Sequence, residues 1–216
     1  GERYYGVEEL PSRLFICNVA FPKEKSMSLL VTSDQRFAEN RSEPRSIASK
    51  AYKDFAVTVS VNKNLLEFYN TYPTSMVGDD MMTRWAMYAN TPMEHGVKEV
   101  LYPKLKEKLK GLSQADAVGR ILNWIQTGFE YEYDDKVWGS DRAFFSEETL
   151  FYPYCDCEDR SILLTRLVRD ILGLKCILVY YPGHLASAVE LTQGDVKGDY
   201  IQHNGHRYII ADGTYI

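Results

Sequence analysis

The chain has 216 residues, of which 45% are hydrophobic and 25% are charged, a composition typical of a soluble globular protein. Its net charge of −5 gives no basic surface for nucleic acid, and no apolar run is long enough to span a membrane. The four cysteines are too few and too unevenly spaced for a disulfide scaffold. These features argue against a nucleic-acid-binding protein, a membrane-spanning protein and a disulfide-stabilised domain.

The first part of the chain predicts strands rather than helices. Residues 14–21 form an apolar run typical of a buried strand, residues 27–32 form a second, and residues 55–61 alternate as a third. We therefore expect a strand-rich region over residues 1–75. This region is either a unit of its own or part of the same domain as residues 76–216.

From about residue 62 the hydrophobic spacing changes to that of helices. The expected helices cover residues 65–69, residues 82–89, a helix broken at Pro103 and a helix that ends at Gly128. Ser113 and Asp116, three residues apart, are a typical capping pair for the start of the last of these. Residues 129–154 then form a long connection, and a loop of this length in a compact domain is usually functional.

The most regular helix in the sequence begins at about Cys157 and is closed by Gly173. Its apolar face consists of Leu163, Leu164, Leu167, Val168, Ile171 and Leu172. Cys157 belongs to this face, because Cys157, Arg160 and Leu164 are separated by three and four residues and so lie on the same side of a helix. We therefore expect its thiol to point toward the interior or the floor of a cleft.

A cysteine in the first turn of a helix lies at the positive end of the helix dipole, which lowers the thiol pKa and favours the nucleophilic thiolate. Cys157 holds that position, whereas Cys155 precedes the helix and is the weaker candidate. Glu158 and Asp159 suit the helix dipole, but their negative charges oppose thiolate formation.

After this helix the sequence predicts strands over residues 176–181, 184–191, 199–203 and 206–212. Asn204 and Gly205 are the strongest short hairpin signal in the chain. If the strands pair antiparallel, His184 and Asp212 meet at the same end of the sheet. A thiol nucleophile needs a base that shares its proton and a third group that orients that base, and these residues are of the required types.

Three short runs together resemble the transglutaminase-like cysteine hydrolase superfamily. They are Asp-Cys-Glu-Asp-Arg-Ser-Ile-Leu-Leu from residue 156, Gly-His-Leu-Ala-Ser-Ala-Val from residue 183, and Ala-Asp-Gly-Thr from residue 211. The sequence is most similar to the bacterial members with a Gly-Asp-Cys-Glu-Asp type motif. It departs from them at Tyr154-Cys155, where a glycine often precedes the Asp-Cys pair, and at Leu185, where an aromatic residue usually follows the histidine.

The resemblance implies an α+β fold with a papain-like core, in which the helix that carries the nucleophile packs on an antiparallel sheet. It implies that Cys157 is the nucleophile, that His184 is the general base and acid, and that Asp212 orients the histidine. The oxyanion would be held by the backbone N–H of Cys157 and by one further donor. Candidates for this second donor are Tyr131, Tyr133 and Trp138.

The implied reaction is attack of the thiol on an amide carbonyl, which expels the amine and leaves a thioester, followed by transfer of the acyl group from the thioester to water or to an amine. Hydrolysis of a peptide or peptidoglycan-type amide is the first expectation and cross-linking by acyl transfer is the second, with no cofactor and no metal. A signal peptide removed before Gly1 would make the protein an exported one, in the periplasm or on the cell surface of a bacterium.

Two other interpretations stay open at the level of the sequence. The same residues could survive in a noncatalytic interaction module, because a fold does not imply an activity. A metal site is the second alternative, although a Cys-x-Cys pair without a matched second pair is not a standard zinc spacing. Its potential ligands are Cys155, Cys157, His184, His203 and His206.

Overall fold

The computed structural model describes Tyr5–Gly6, Lys23 and the ranges 36–71, 76–77, 81–194 and 196–214. The strands predicted over residues 14–21 and 27–32 lie outside these described residues. The strand predicted over residues 55–61 is confirmed as Ala56–Val59, and it pairs antiparallel with Arg45–Ala48.

The described residues form a mixture of helices and mainly antiparallel sheets, which agrees with the α+β class, and the short pair Glu130–Tyr131 with Tyr154–Cys155 is parallel. The strands are β1 (Tyr5–Gly6), β2 (Arg45–Ala48), β3 (Ala56–Val59), β4 (Met76–Val77), β5 (Glu130–Tyr131), β6 (Tyr154–Cys155), β7 (Cys176–Tyr181), β8 (His184–Val189), β9 (Tyr200–His203) and β10 (His206–Ala211). The helices are α1 (Lys63–Thr71), α2 (Met81–Asn90), α3 (His95–Leu109), α4 (Gln114–Gly128), α5 (Asp134–Val137), α6 (Ser146–Phe151) and α7 (Cys157–Leu167). A π-helical turn, Val168–Leu172, continues α7.

The largest described sheet has the strand order β7-β8-β10-β9 and is antiparallel throughout. The predicted hairpin is confirmed, because Asn204 and Gly205 join β9 to β10 and both have positive φ angles, 49° and 77°. Ala211 pairs with Ser187. The chain that leaves β10 therefore runs toward the end of the sheet where His184 begins β8.

Helix α7 packs on β8 through small polar side chains as well as through its apolar face. Ser161 donates a hydrogen bond from Oγ to the Leu185 carbonyl (3.0 Å), and Ser187 donates from Oγ to the Ser161 carbonyl (3.0 Å). Thr165 and Ser187 are joined by a further hydroxyl–hydroxyl bond of 3.0 Å. All three side chains are buried, so these bonds satisfy their hydroxyl groups and fix the position of the helix along the strand.

The break expected in the third helix is wrong, because α3 runs through Pro103 without interruption. Proline removes one backbone donor, but Pro103 and Glu99, whose carbonyl loses its partner, are both exposed to water. Four side chains spaced four residues apart hold the helix against the core on both sides of the proline. They are Val97, Leu101, Leu105 and Leu109.

Residues 129–154 were expected to be a long connection, but they contain β5, α5, α6 and the start of β6. The side chains of Phe144 and Phe145 are fully buried, and so are the residues that begin α6. Phe145 stacks on Tyr69 with ring centroids 3.9 Å apart. Because these aromatic side chains are buried, much of the segment is part of the core. The polar residues before them hid this from the sequence pattern.

The core joins the early strands to the later helices. Trp124 of α4 donates from Nε1 to the Ile47 carbonyl of β2 (2.9 Å) and contacts Phe55 edge to face. The division of the chain after residue 75 stays a prediction. In the part of the chain that the structure describes, no helix is long and apolar enough to cross a membrane.

Candidate active site

His184 and Asp212 meet at one end of the large sheet, as the strand alternation predicted. Nε2 of His184 lies 2.7 Å from Oδ2 of Asp212. The other carboxylate oxygen, Oδ1, accepts hydrogen bonds from the backbone N–H of Thr214 (2.9 Å) and from its hydroxyl (2.6 Å). Partial burial acts to raise the pKa of Asp212, but the bonds from Thr214 and His184 outweigh it and hold that pKa below its usual value.

Cys157 begins α7, as predicted, and its side chain is buried, with only 8% of the residue exposed. Its thiol donates to Oε2 of Glu158 at 3.1 Å. The backbone N–H of Leu185 also reaches the sulfur and favours its ionised form. Because Leu185 directly follows His184, the sulfur is held against the start of the strand that carries the imidazole.

The expectation of a low thiol pKa at the helix start is wrong for this arrangement. Burial raises the pKa of Cys157 well above its usual value, and the negative charge of Glu158 raises it further. The backbone N–H of Leu185 acts in the other direction but does not outweigh these two effects. In this structure the sulfur is therefore a neutral thiol that is bonded to a carboxylate.

An acidic cluster lies beside the thiol and includes Asp134, Asp156 and Asp159. Asp159 accepts from the backbone N–H of Phe144 (2.7 Å) and of Asp156 (3.2 Å), so it helps to cap α7. Burial, followed by the charge of Glu158, raises the pKa of Asp156 to about 9. Burial, followed by the charge of Asp156, raises that of Asp159 well above its usual value. Burial also raises the pKa of Asp134 to about 6 despite a hydrogen bond from Arg142.

This cluster predicts that folding stability falls as the pH rises. A carboxyl whose pKa is raised in the folded state keeps its proton there, whereas the unfolded chain loses it near the ordinary aspartate pKa of 3.8. Its contribution is therefore present at low pH and is lost progressively up to the folded pKa, about 6 for Asp134 and about 9 for Asp156. Asp212 has the opposite sign, but its contribution changes only in acid, below this range.

In wild type we expect the thermal midpoint to decrease as the pH is raised from about 6 to about 9. In Asp156→Asn this decrease should be smaller by roughly 4 °C or more. Asparagine caps helices as well as aspartate does, so the substitution removes the titration without removing the cap. Differential scanning calorimetry across this pH range measures both slopes. Asp116→Asn, an exposed change at the start of α4, serves as the control and should leave the wild-type slope. Equal slopes in Asp156→Asn and wild type would contradict the assignment.

The three oxyanion candidates lie in different surroundings. Burial raises the pKa of the Tyr131 phenol, and the residue, 39% exposed, is close enough to Cys157 that ionisation of the thiol would raise this pKa further. Tyr133 packs edge-on against Tyr131, with ring centroids 5.5 Å apart. Trp138 belongs to a separate aromatic cluster with Phe144 and Tyr152. Of the three, Tyr131 is therefore the candidate with a direct electrostatic link to the thiol.

The potential zinc ligands are not gathered into one site. His206 pairs with Glu190 (2.5 Å), and Cys155 accepts a hydrogen bond from Arg160 (3.4 Å). Among the described residues, some groups of side chains are close enough together to hold a cation. Of the five potential zinc ligands, Cys157 is the one that belongs to such a group. These groups are Asp156 with Cys157 and Glu158, Asp134 with Asp156 and Asp159, and Asp134 with Asp141 and Glu158.

Two features of the site were not expected from the sequence. One is the thiol–carboxylate contact between Cys157 and Glu158, described above. The other is Arg160, a fully buried arginine one helical turn after Cys157, whose nitrogens bond to carbonyls at the end of α4 and in the turn after β10. Its position on the predicted inward face of α7 was the available signal, because a buried arginine must find several acceptors.

No protein-family model, curated protein or solved structure matches the chain. The interpretation of the site therefore depends on its geometry and on the sequence motifs.

Proposed function

We propose that the protein is a cysteine-dependent enzyme of the transglutaminase-like type, with a papain-like core, that breaks or transfers amide bonds through a thioester. The observation that carries this proposal is the 2.7 Å contact between His184 and Asp212 beside the helix start that holds Cys157. Asp212 fixes a proton on Nε2 of His184, which makes Nδ1 the atom that would accept the thiol proton. Cys157 is the nucleophile in this proposal.

The reaction would begin when the sulfur leaves Glu158 and its proton passes to His184. The thiolate then attacks the carbonyl carbon of an amide, the protonated imidazole donates its proton to the leaving amine, and a thioester remains on Cys157. Water or a second amine resolves the thioester with His184 as the base. The backbone N–H of Cys157 and the phenol of Tyr131 are the proposed oxyanion donors. The proposed substrate is a peptide or peptidoglycan-type amide, with hydrolysis favoured over cross-linking.

One observation favours a second candidate, a noncatalytic interaction module that keeps the same three residues. The thiol is buried, its pKa is raised, and its hydrogen-bond partner is Glu158. Such a thiol is unreactive unless the carboxylate moves. The two candidates differ in whether His184 controls the reactivity of Cys157.

Labelling with iodoacetamide at neutral pH separates them. We expect His184→Ala to slow the labelling of Cys157 by about tenfold, because the base that generates the thiolate is lost. Tandem mass spectrometry must assign the label, since Cys155 lies two residues away, and Cys157→Ala confirms that assignment.

His206→Ala is the matched control, because His206 also opens a strand and also pairs with a carboxylate, that of Glu190. It should label at the wild-type rate. Equal rates in wild type, His184→Ala and His206→Ala would refute the enzyme and leave the interaction module.

A further inference from the structure

Arg160 is a buried cation whose partners are neutral. The residue is 2% exposed and lies in the first turn of α7, three residues after Cys157. Nη1 donates to the carbonyls of Gly213 (3.0 Å) and Gln126 (3.3 Å), and Nη2 donates to that of Phe129 (3.0 Å). Nε donates to the sulfur of Cys155 (3.4 Å). Burying a guanidinium is costly, and here the planar fork of donors is spread over four acceptors.

The acceptors belong to three separate parts of the chain that meet at the site. Gln126 and Phe129 lie at the end of α4, Cys155 lies in β6, and Gly213 follows β10. The last carbonyls of a helix have no partners within it and carry partial negative charge, so a buried cation there stabilises the end of α4. Through Arg160, α7 is therefore tied to the end of α4 and to the turn after β10.

The turn after β10 is the segment that carries Asp212. Gln126 donates from Nε2 to the Asp212 carbonyl (2.8 Å), and Arg160 binds the carbonyl of the next residue, Gly213. A side chain on Gly213 would bring its Cβ to 2.8 Å from Cβ of Arg160, so the close approach requires glycine here. Both carbonyls of this turn are thus fixed from the side of α4 and α7, while the Asp212 carboxylate faces His184.

The same guanidinium supports a third part of the site. Its Cζ atom lies 5.1 Å from the centroid of the Tyr131 ring, within the range of a cation–π contact. Tyr131 is the oxyanion candidate that is close to the thiol. One buried side chain therefore contacts the turn of Asp212 and the ring of Tyr131, and it shares a helical turn with Cys157.

We propose that Arg160 is a positioning residue, which sets the relation between the helix of the nucleophile and the carboxylate that orients His184. It acts through Asp212 and Tyr131 and not through a hydrogen bond to the thiol of Cys157. This inference rests on the proposed function, because positioning has a measurable consequence only if Cys157 and His184 form a working pair.

The test is the rate of Cys157 labelling by iodoacetamide as a function of pH, in wild type, Arg160→Lys and Arg166→Lys. Lysine keeps the charge but has one nitrogen, which cannot span the four acceptors. Displacement of Asp212 from His184 weakens the imidazolium partner of the thiolate. We therefore expect Arg160→Lys to lower the neutral-pH rate by roughly 10- to 100-fold and to move the rise of the rate to higher pH.

Arg166→Lys controls for the loss of an arginine from the same helix, where Arg166 pairs with Asp170. It should keep the wild-type pH profile. Circular dichroism and thermal melting show whether each variant is folded at the labelling temperature. If Arg160→Lys does not fold, Gln126→Met removes the neighbouring side-chain bond to the Asp212 carbonyl, and we expect a smaller shift of the profile in the same direction.

The outcomes separate the two proposals. If wild-type labelling does not depend on His184, the proposed function fails whatever Arg160 does. If labelling depends on His184 but the folded Arg160→Lys variant, or Gln126→Met in its place, keeps the wild-type profile, Arg160 has a structural role only and the inference is overturned.

Discussion

Asp212→Asn is expected to slow the acylation of Cys157 by about 100- to 10,000-fold, although it changes a carboxylate into an amide of the same shape. The physical reason is the choice of tautomer at His184. The Asp212 carboxylate accepts from Nε2 at 2.7 Å, so the proton stays on Nε2 and the lone pair stays on Nδ1.

The structure decides which way the introduced amide would turn. Oδ1 of Asp212 accepts from both the backbone N–H and the hydroxyl of Thr214. The carbonyl oxygen of the amide takes that position, because its NH₂ group cannot accept these bonds. The NH₂ group therefore faces Nε2 of His184 and donates to it. This moves the ring proton to Nδ1, where the imidazole can no longer take the proton of the thiol.

The initial burst of 4-nitrophenolate from 4-nitrophenyl acetate measures acylation without knowledge of the natural substrate. Asp199→Asn, an exposed change just before β9, is the control and should give the wild-type burst rate. Asp212→Ala distinguishes the mechanism, because it leaves His184 able to adopt either tautomer. The tautomer effect predicts that Asp212→Ala is faster than Asp212→Asn, whereas equally slow variants would show that the lost charge, and not the tautomer, causes the fall in rate.

The sheet side of the site could be predicted from the sequence. The Asn204-Gly205 hairpin sets the register of β9 and β10, and the antiparallel pairing of β10 with β8 places His184 and Asp212 at one end of the sheet, as the strand alternation predicted. These signals depend on neighbouring residues in the sequence, and the sheet has the structure that they predict. The catalytic roles of the two residues, and the papain-like core, stay predictions.

The helix side of the site could not be predicted in the same way. Helical periodicity identifies one inward face, and residues one position apart, such as Cys157 and Glu158, do not share it. In the structure every side chain from Cys157 to Ser161 is buried, because β8 and the segment before α6 enclose the first turn from several sides. The thiol and the Glu158 carboxylate therefore meet. Such enclosure depends on contacts between distant segments, which a periodic pattern does not contain.

Tertiary packing also decides the structure at Pro103, where the sequence predicts a break that does not occur. A proline predicts a break in a helix, but the leucines on either side are held by the core and the lost bond faces water. Tertiary packing outweighs the local cost of about 3 kcal/mol. The local rule fails where burial on one face of the element is strong enough.

The contact between Cys157 and Glu158 leads to the second large effect. Glu158→Gln is expected to raise the rate of Cys157 labelling at neutral pH by about 10- to 100-fold, because removal of the neighbouring negative charge lowers the thiol pKa and so increases the thiolate fraction. Burial of the thiol remains. The amide oxygen can still accept the bond that the thiol now donates to Oε2 at 3.1 Å.

The fold should tolerate this change. Glu158 lies among buried carboxyls, and its charge contributes to raising the pKa of both Asp156 and Asp159. One fewer negative charge reduces the repulsion between them, so we expect the thermal midpoint of Glu158→Gln to equal or exceed that of wild type. Glu132→Gln, at a partly exposed glutamate that pairs with Lys136, is the matched control and should leave the labelling rate unchanged.

A double mutant shows how the gain arises. If the increase persists in His184→Ala, the removal of the charge alone activates the thiol. If it disappears, Glu158 and His184 compete for the same proton, and the two substitutions are coupled. A fall in the rate on Glu158→Gln would reverse the assignment, since Glu158 would then be the base that accepts the thiol proton. In that case the resting contact seen here is itself the reactive one, and the partner of the nucleophile is on its own helix rather than on β8.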